Sequence, residues 1–177
     1  MGSAVNKQIL EGIAGPENVL TDPVDLVVYS SDATPITSRP DIVVFPTSTK
    51  QVSDIMKYAN NHKIPVVPRG SGSSLSGGPV AIKGGLILDF TKMNKILDID
   101  QENFEVLVEP GVVYKTLESK LKPLGLFFPP DPSSQDWCTI GGMIAENAGG
   151  VRAVKYGVTR DWLMGTEIVL ANGDIIW

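Results

Sequence analysis

The residues with the greatest capacity for chemistry lie in the run Pro65–Gly78, P-V-V-P-R-G-S-G-S-S-L-S-G-G. Glycine admits positive φ and close approach of a ligand to the backbone, and consecutive N–H groups in such a loop form an anion-binding nest. Ser71, Ser73 and Ser74 add hydroxyl donors, and Arg69 adds a fixed positive charge at the loop entrance. A loop of this composition suits a diphosphate. It is not a Walker loop, because Gly72 and Gly77 have the interval but Gly78 stands where lysine is required. Nor is it G-x-G-x-x-G, since Leu75 holds the third glycine position. The alternative is a plain flexible turn, and the strand patterns on either side favour the ligand loop.

A second glycine cluster lies at Thr139-Ile-Gly-Gly142, followed by Glu146-Asn-Ala-Gly-Gly150. Thr139 is an N-cap for a helix running through Met143, Ile144 and Ala145 and ending at Gly149-Gly150. Glycines in a first turn each cost a helix ~1 kcal/mol, so Gly141 and Gly142 imply close approach of a ligand or of another backbone. At a helix N-terminus with free N–H groups, that ligand would be anionic or carbonyl-bearing.

The elements that must position these loops follow from periodicity. Residues 3–14 suit a helix with Ser3 as its N-cap, and 21–40 reads as loop, with Asp22-Pro23 as turn material. Ile42–Phe45 is a buried strand. Ser48 and Gln51 have capping-box spacing before a helix that carries Val52, Ile55, Met56 and Ala59. Ile64–Val67 is the next strand, which makes a βαβ unit with the strand before it. Further strands are expected at 85–90, 96–99 and 105–108. A helix marked by Val113, Leu117 and Leu121 is closed by Pro123 and Gly125. The proline-rich stretch 126–132 suits no regular element. Glu167–Ala171 and Asp174–Trp177 read as a hairpin turned at Asn172-Gly173, and its abrupt end suggests the front part of a longer protein.

Composition sets outer limits. A 177-residue chain with 42% hydrophobic residues is long enough for a sizeable core, and no apolar run approaches the ~20 residues of a membrane span. The net charge of -5 argues against a nucleic-acid surface. One cysteine excludes an intrachain disulfide, and one histidine leaves no His/Cys metal cluster. His62, at a polar helix end, reads as solvated rather than catalytic. No signal peptide is visible, so a cytoplasmic setting is expected.

Taken together, Pro68–Gly78, Pro129–Ser134, Thr139–Gly150, Lys155–Gly157 and Gly165–Leu170 resemble the FAD-binding domain of the vanillyl-alcohol oxidase/p-cresol methylhydroxylase flavoproteins. The likeness is strongest to the branch that holds glycolate oxidase and D-lactate dehydrogenase. The resemblance implies an α+β, PCMH-type FAD-binding domain over 41–177, preceded by a helix and lead-in loop over 1–40. It would comprise an N-terminal βαββ unit and a second, mainly antiparallel sheet with helices, with FAD extended between the two sheets. Pro68, Arg69, Gly70, Ser71, Gly72, Ser73 and Ser74 would hold the pyrophosphate. Asp131, Thr139, Gly142, Glu146, Asn147, Ala148 and Gly149 would line the rest of the cofactor path.

The family often attaches flavin through a histidine in the pyrophosphate loop, where this chain has Ser73 and Ser74, so FAD is expected to be non-covalent. Cys138 directly precedes the Thr-Ile-Gly run and is expected to be a buried, inert thiol. The segment that completes the adenine end and the cap domain that supplies catalytic groups are not among these residues, so no catalytic residue is assigned. The implied reaction is hydride transfer to FAD from a 2-hydroxy acid of the glycolate or D-lactate kind, with an iron–sulfur or electron-transfer partner protein in some relatives. The alternatives are another oxidase of the superfamily acting on an alcohol, phenol or sugar, or a non-catalytic nucleotide-binding module.

Overall fold

The computed structural model of the chain describes residues 5–177, which fall into two units. One runs up to Lys92 and resumes at Gly165–Trp177, and the other is Met93–Met164. This mixed α/β arrangement is the α+β class expected.

The first unit begins with α1 (Lys7–Ala14), whose N-cap Asn6 accepts a hydrogen bond from the Gln8 N–H. The Ser3 cap lies outside the described residues. β1 (Val19–Leu20) leads into α2 (Pro23–Val27), within a stretch expected to be all loop. Asp22-Pro23 is there a helix start: the Asp22 carboxylate accepts from Val24 N–H at 2.8 Å and Pro23 has the preset φ of a first helical residue.

β2 (Ile42–Val44) is wholly buried and feeds α3 (Thr49–His62). The Ser48 hydroxyl caps α3 at the Gln51 N–H, while the Gln51 side chain accepts from the Thr47 N–H at 2.8 Å. Val52, Ile55 and Ala59 make the buried face, joined by Tyr58. Burying a side chain of Val or Ile size contributes ~1.5–3 kcal/mol. β3 (Val66–Arg69) and β4 (Leu86–Asp89) complete a sheet of order β1-β2-β4-β3. β2 and β3 are parallel, as the βαβ reading requires, but β4 lies between them and pairs with both. The reason is burial: every residue of β4 is buried, whereas β3 carries Pro68, which has no N–H to donate and suits a sheet edge.

The second unit opens with the antiparallel pair β5 (Ile96–Asp100) and β6 (Glu105–Val108). The Asp100 carboxylate orders their turn by accepting from the N–H groups of Glu102 and Asn103, at 3.0 Å each. α4 (Tyr114–Leu121) begins one residue after Val113, which is its cap, and Gly125 ends the following turn in the left-handed region. α5 (Ile140–Glu146) and α6 (Ala153–Tyr156) follow the irregular proline-rich segment. The core is Val112, Tyr114, Leu117, Leu121, Cys138, Ile140 and Met143.

The hairpin β7 (Ile168–Val169) and β8 (Ile175–Ile176) returns to the first unit, with strands shorter than expected. Its turn docks on α3, where the Ser53 hydroxyl donates to Gly173 O at 2.5 Å. Among the described residues, no helix is long and apolar enough to cross a membrane.

Candidate functional site

The first unit holds the glycine–serine loop, which leaves β3 at its C-terminal end. The second half of the loop is tied down at two points. Ala33 N–H donates to Ser74 O at 3.1 Å, and Gly77 N–H donates to the Asp32 carboxylate at 2.9 Å. Asp32 is itself fixed by the Thr34 hydroxyl at 2.6 Å. Between the end of β3 and these anchors, among the described residues, the backbone N–H groups of Ser71, Gly72 and Ser73 have no partner in the chain. Gly72 lies at φ +73, so the run places a left-handed residue between ordinary ones, the backbone form of an anion nest. The Ser71 and Ser73 hydroxyls lie 3.3 Å apart on the same stretch.

Arg69 stands at the loop entrance, but its charge does not face outward from it. Its side chain is buried under the loop, 8% exposed, with Nη1 donating to Pro79 O at 3.3 Å and the guanidinium 5.6 Å from the Tyr29 ring centroid. A Cβ on Gly72 would overlap that guanidinium. Asp89, 3% exposed, faces Arg69 across the β3–β4 ladder. Burial raises the Asp89 carboxyl's pKa, opposed by hydrogen bonds from Thr91 and the charge of Arg69. Burial lowers that of Arg69, opposed by Asp89. The side chain turned inward because desolvating a guanidinium is tolerable only where a carboxylate, a carbonyl and an aromatic face receive it.

The second unit holds the other expected site residues along α5 and the turn after it. Thr139 is buried and caps α5, its hydroxyl accepting from Gly142 N–H at 3.3 Å. The expectation of free N–H groups at this helix start is overturned. Ile140 donates to Val112 O and Gly141 to Pro110 O, both at 2.8 Å, and Met143 donates to Thr139 O at 2.9 Å. Gly141 is glycine because the Pro110 backbone approaches it, a Cβ falling 3.0 Å from Pro110 O. The close partner is thus another backbone.

The helix also ends earlier than Gly149-Gly150. Asn147 takes the left-handed conformation at φ 52 directly after Glu146, which is exposed. Asn147 Oδ1 accepts from Arg160 N–H at 3.0 Å, and Ala148 O accepts from the Thr159 hydroxyl at 2.6 Å. These bonds hold the Asn147–Gly149 turn against the chain around Thr159.

Asp131 meets this turn through a residue that sequence reasoning passed over. Arg152 Nε pairs with the Asp131 carboxylate at 2.9 Å, and Arg152 N–H donates to the same group at 3.0 Å. The Arg152 guanidinium also donates to the Tyr114 hydroxyl at 3.1 Å, and that hydroxyl donates to Phe128 O at 3.0 Å. Burial is the largest cause of the Tyr114 hydroxyl's being pushed up to about 12. A Cβ at Gly150 would overlap the Asp131 backbone. The result is a cleft of about 580 Å³ whose lining includes Asp131, Ser133, Gln135, Gly149, Gly150 and Arg152. The available signal for Arg152 was a cation two residues beyond a glycine pair. Lys155 is exposed, its ammonium lying 4.8 Å from the ring centroid of the half-buried Tyr156. Cys138 is buried, which pushes its thiol pKa up, as an inert thiol requires.

With this geometry in place, comparison with known proteins gives a consistent answer. Residues 40–177 match the FAD binding domain family. The chain is 49% identical to glycolate oxidase subunit GlcD of Bacillus subtilis (strain 168) over 97% of its own length and 37% of that protein's. It is 46% identical to a D-lactate dehydrogenase of Anaerostipes hadrus over 78% of its length and 29% of that protein's. A crystal structure of p-cresol methylhydroxylase with substrate bound superposes with a TM-score of 0.83 at 29% identity, over 96% of this chain and 34% of that one. The chain therefore spans about a third of the length of the proteins it matches.

Proposed function

The chain belongs to the FAD binding domain family and its cofactor is FAD, and from that premise we propose that it is the FAD-binding part of a flavin-dependent 2-hydroxy-acid oxidoreductase. The donor set fits the cofactor's diphosphate. Among the described residues, Ser71, Gly72 and Ser73 offer consecutive free N–H groups with hydroxyls beside them. That run of free donors is the observation that carries the reading. Pro68 and Gly70 bracket the start of the loop, and Ser74 anchors its far side through its carbonyl.

In the second unit, Asp131 and Gly149 line the cleft, while Thr139, Gly142, Glu146, Asn147 and Ala148 shape the segment beside it. When bound, FAD supplies the acceptor for the hydride that a hydroxy acid loses from its carbinol carbon. This chain's residues bind and orient the cofactor, and none of them is assigned to holding the substrate. With Ser73 and Ser74 in the loop and Cys138 buried, the cofactor is held without a covalent bond.

The names of the relatives at 49% and 46% identity favour glycolate or D-lactate as the substrate type. A phenol or other alcohol is the second reading, resting on the 29% identity to p-cresol methylhydroxylase.

The test is the visible absorbance spectrum of the purified chain before and after addition of FAD. Oxidised-flavin bands that co-elute with the protein and leave on denaturation are expected. A Gly72→Asp chain should retain none. Bands that stay with denatured protein would overturn the non-covalent reading, and full retention by Gly72→Asp would remove the loop from the site.

A further inference from the structure

Among the described residues, Arg69 is the one strongly buried cation at the glycine–serine loop, and its contacts go to the loop's own backbone, to Tyr29 and to the sheet beneath. The loop leaves β3 at Arg69, passes Gly72 directly over the guanidinium, and returns so that Pro79 O accepts from Nη1. Tyr29 closes one face of the guanidinium and Asp89 balances its charge from β4. The loop is therefore wrapped around a planar, charged group rather than around apolar packing.

We propose that Arg69 is a positioning residue: its guanidinium is the internal support that holds Ser71–Ser73 with their N–H groups presented to the FAD diphosphate, without itself touching the cofactor. This rests on the reading of the loop as the diphosphate site. The physical grounds are specific to arginine. A planar fork can donate to a carbonyl, lie on an aromatic ring and keep its charge toward a carboxylate at once, whereas a lysine ammonium is a compact point charge. The αL glycine is required for the same reason, because any side chain at position 72 would occupy the guanidinium's place. A buried positive charge beneath a nest also adds to its attraction for an anion above.

The experiment compares Arg69→Lys and the charge-balanced pair Arg69→Met with Asp89→Asn, since Arg69→Met alone leaves a buried carboxylate uncompensated. Two readouts are taken on the whole chain. The first is the dissociation constant for FAD. The second, which needs no cofactor, is amide hydrogen exchange at Ala33 and Gly77, whose N–H groups tie the loop down, and at Ile87 and Leu88 in β4.

Both variants should bind FAD at least ~10-fold more weakly and exchange Ala33 and Gly77 at least ~10-fold faster, with Ile87 and Leu88 unchanged. Unchanged exchange at Ala33 and Gly77 overturns the proposal. Equal acceleration in β4 also overturns it, by assigning Arg69 to general stability. Gly72→Asp is the control for the site reading. If it binds FAD normally, the loop is not the diphosphate site and the failure belongs to that reading. If it loses FAD while both Arg69 variants bind as the unaltered chain does, the failure belongs to Arg69.

Discussion

The two glycine-rich regions share their glycine content and have opposite patterns of hydrogen bonding. At Ser71–Ser73 the backbone donors are open, and the loop is anchored beyond them at Ser74 and Gly77 and supported from beneath. At Ile140–Met143 the donors are used up by Val112, Pro110 and Thr139, and Gly141 admits the close approach of the Pro110 backbone. Glycine content therefore does not mark a ligand site. What separates the two regions is whether the N–H groups that glycine exposes find partners in the chain.

The largest effect that separates the two regions should come from adding one methyl group. Gly72→Ala forces a Cβ into the Arg69 guanidinium at positive φ, and flavin retention should fall by more than ~100-fold, read as the FAD dissociation constant. Gly142→Ala meets only the Thr139 hydroxyl at 3.1 Å and gains helix propensity of ~1 kcal/mol, so stability and flavin retention should stay near those of the unaltered chain. Equal losses in the two variants would erase the distinction.

Gly150→Ala sharpens it from the other side. The added Cβ overlaps the Asp131 backbone, and denaturant titration should show a loss of about 3 kcal/mol. A smaller loss is expected for Thr139→Ala, which removes the cap of α5 and should cost ~1 kcal/mol by the same measurement.

The smallest effect is confined to alkaline pH. Tyr114 releases its proton at about 12 in the folded chain against 10.0 ordinarily. A raised pKa of this kind gives stability that is full below pH 10 and is lost as pH rises through about 12. Replacing Tyr114 by Phe should flatten the fall in stability over that window, and absorbance titration of the phenolate should lose its latest component.

Much of this was legible from local pattern. The buried runs Ile42–Val44 and Leu86–Asp89 announce themselves as strands because they are apolar and bounded by turn residues, and α3 because Val52, Ile55 and Ala59 share a face. The family and its cofactor were legible from the two glycine motifs and the proline-rich segment between them. α2 was not, because a five-residue helix that buries only Leu26 leaves almost no periodic signal.

By itself, then, the sequence determined where the longer strands and helices lie and where glycine would permit unusual backbone, since both depend on residues close along the chain. Only the tertiary structure decided which donors stay open, that Arg69 turns inward to Pro79, Tyr29 and Asp89, and that Arg152 joins Asp131 to Tyr114. Those outcomes depend on partners 10 to 40 residues away. A side chain's charge is written in the sequence, but whether it faces a ligand or supports a loop is settled by which groups packing brings within reach to offset its desolvation.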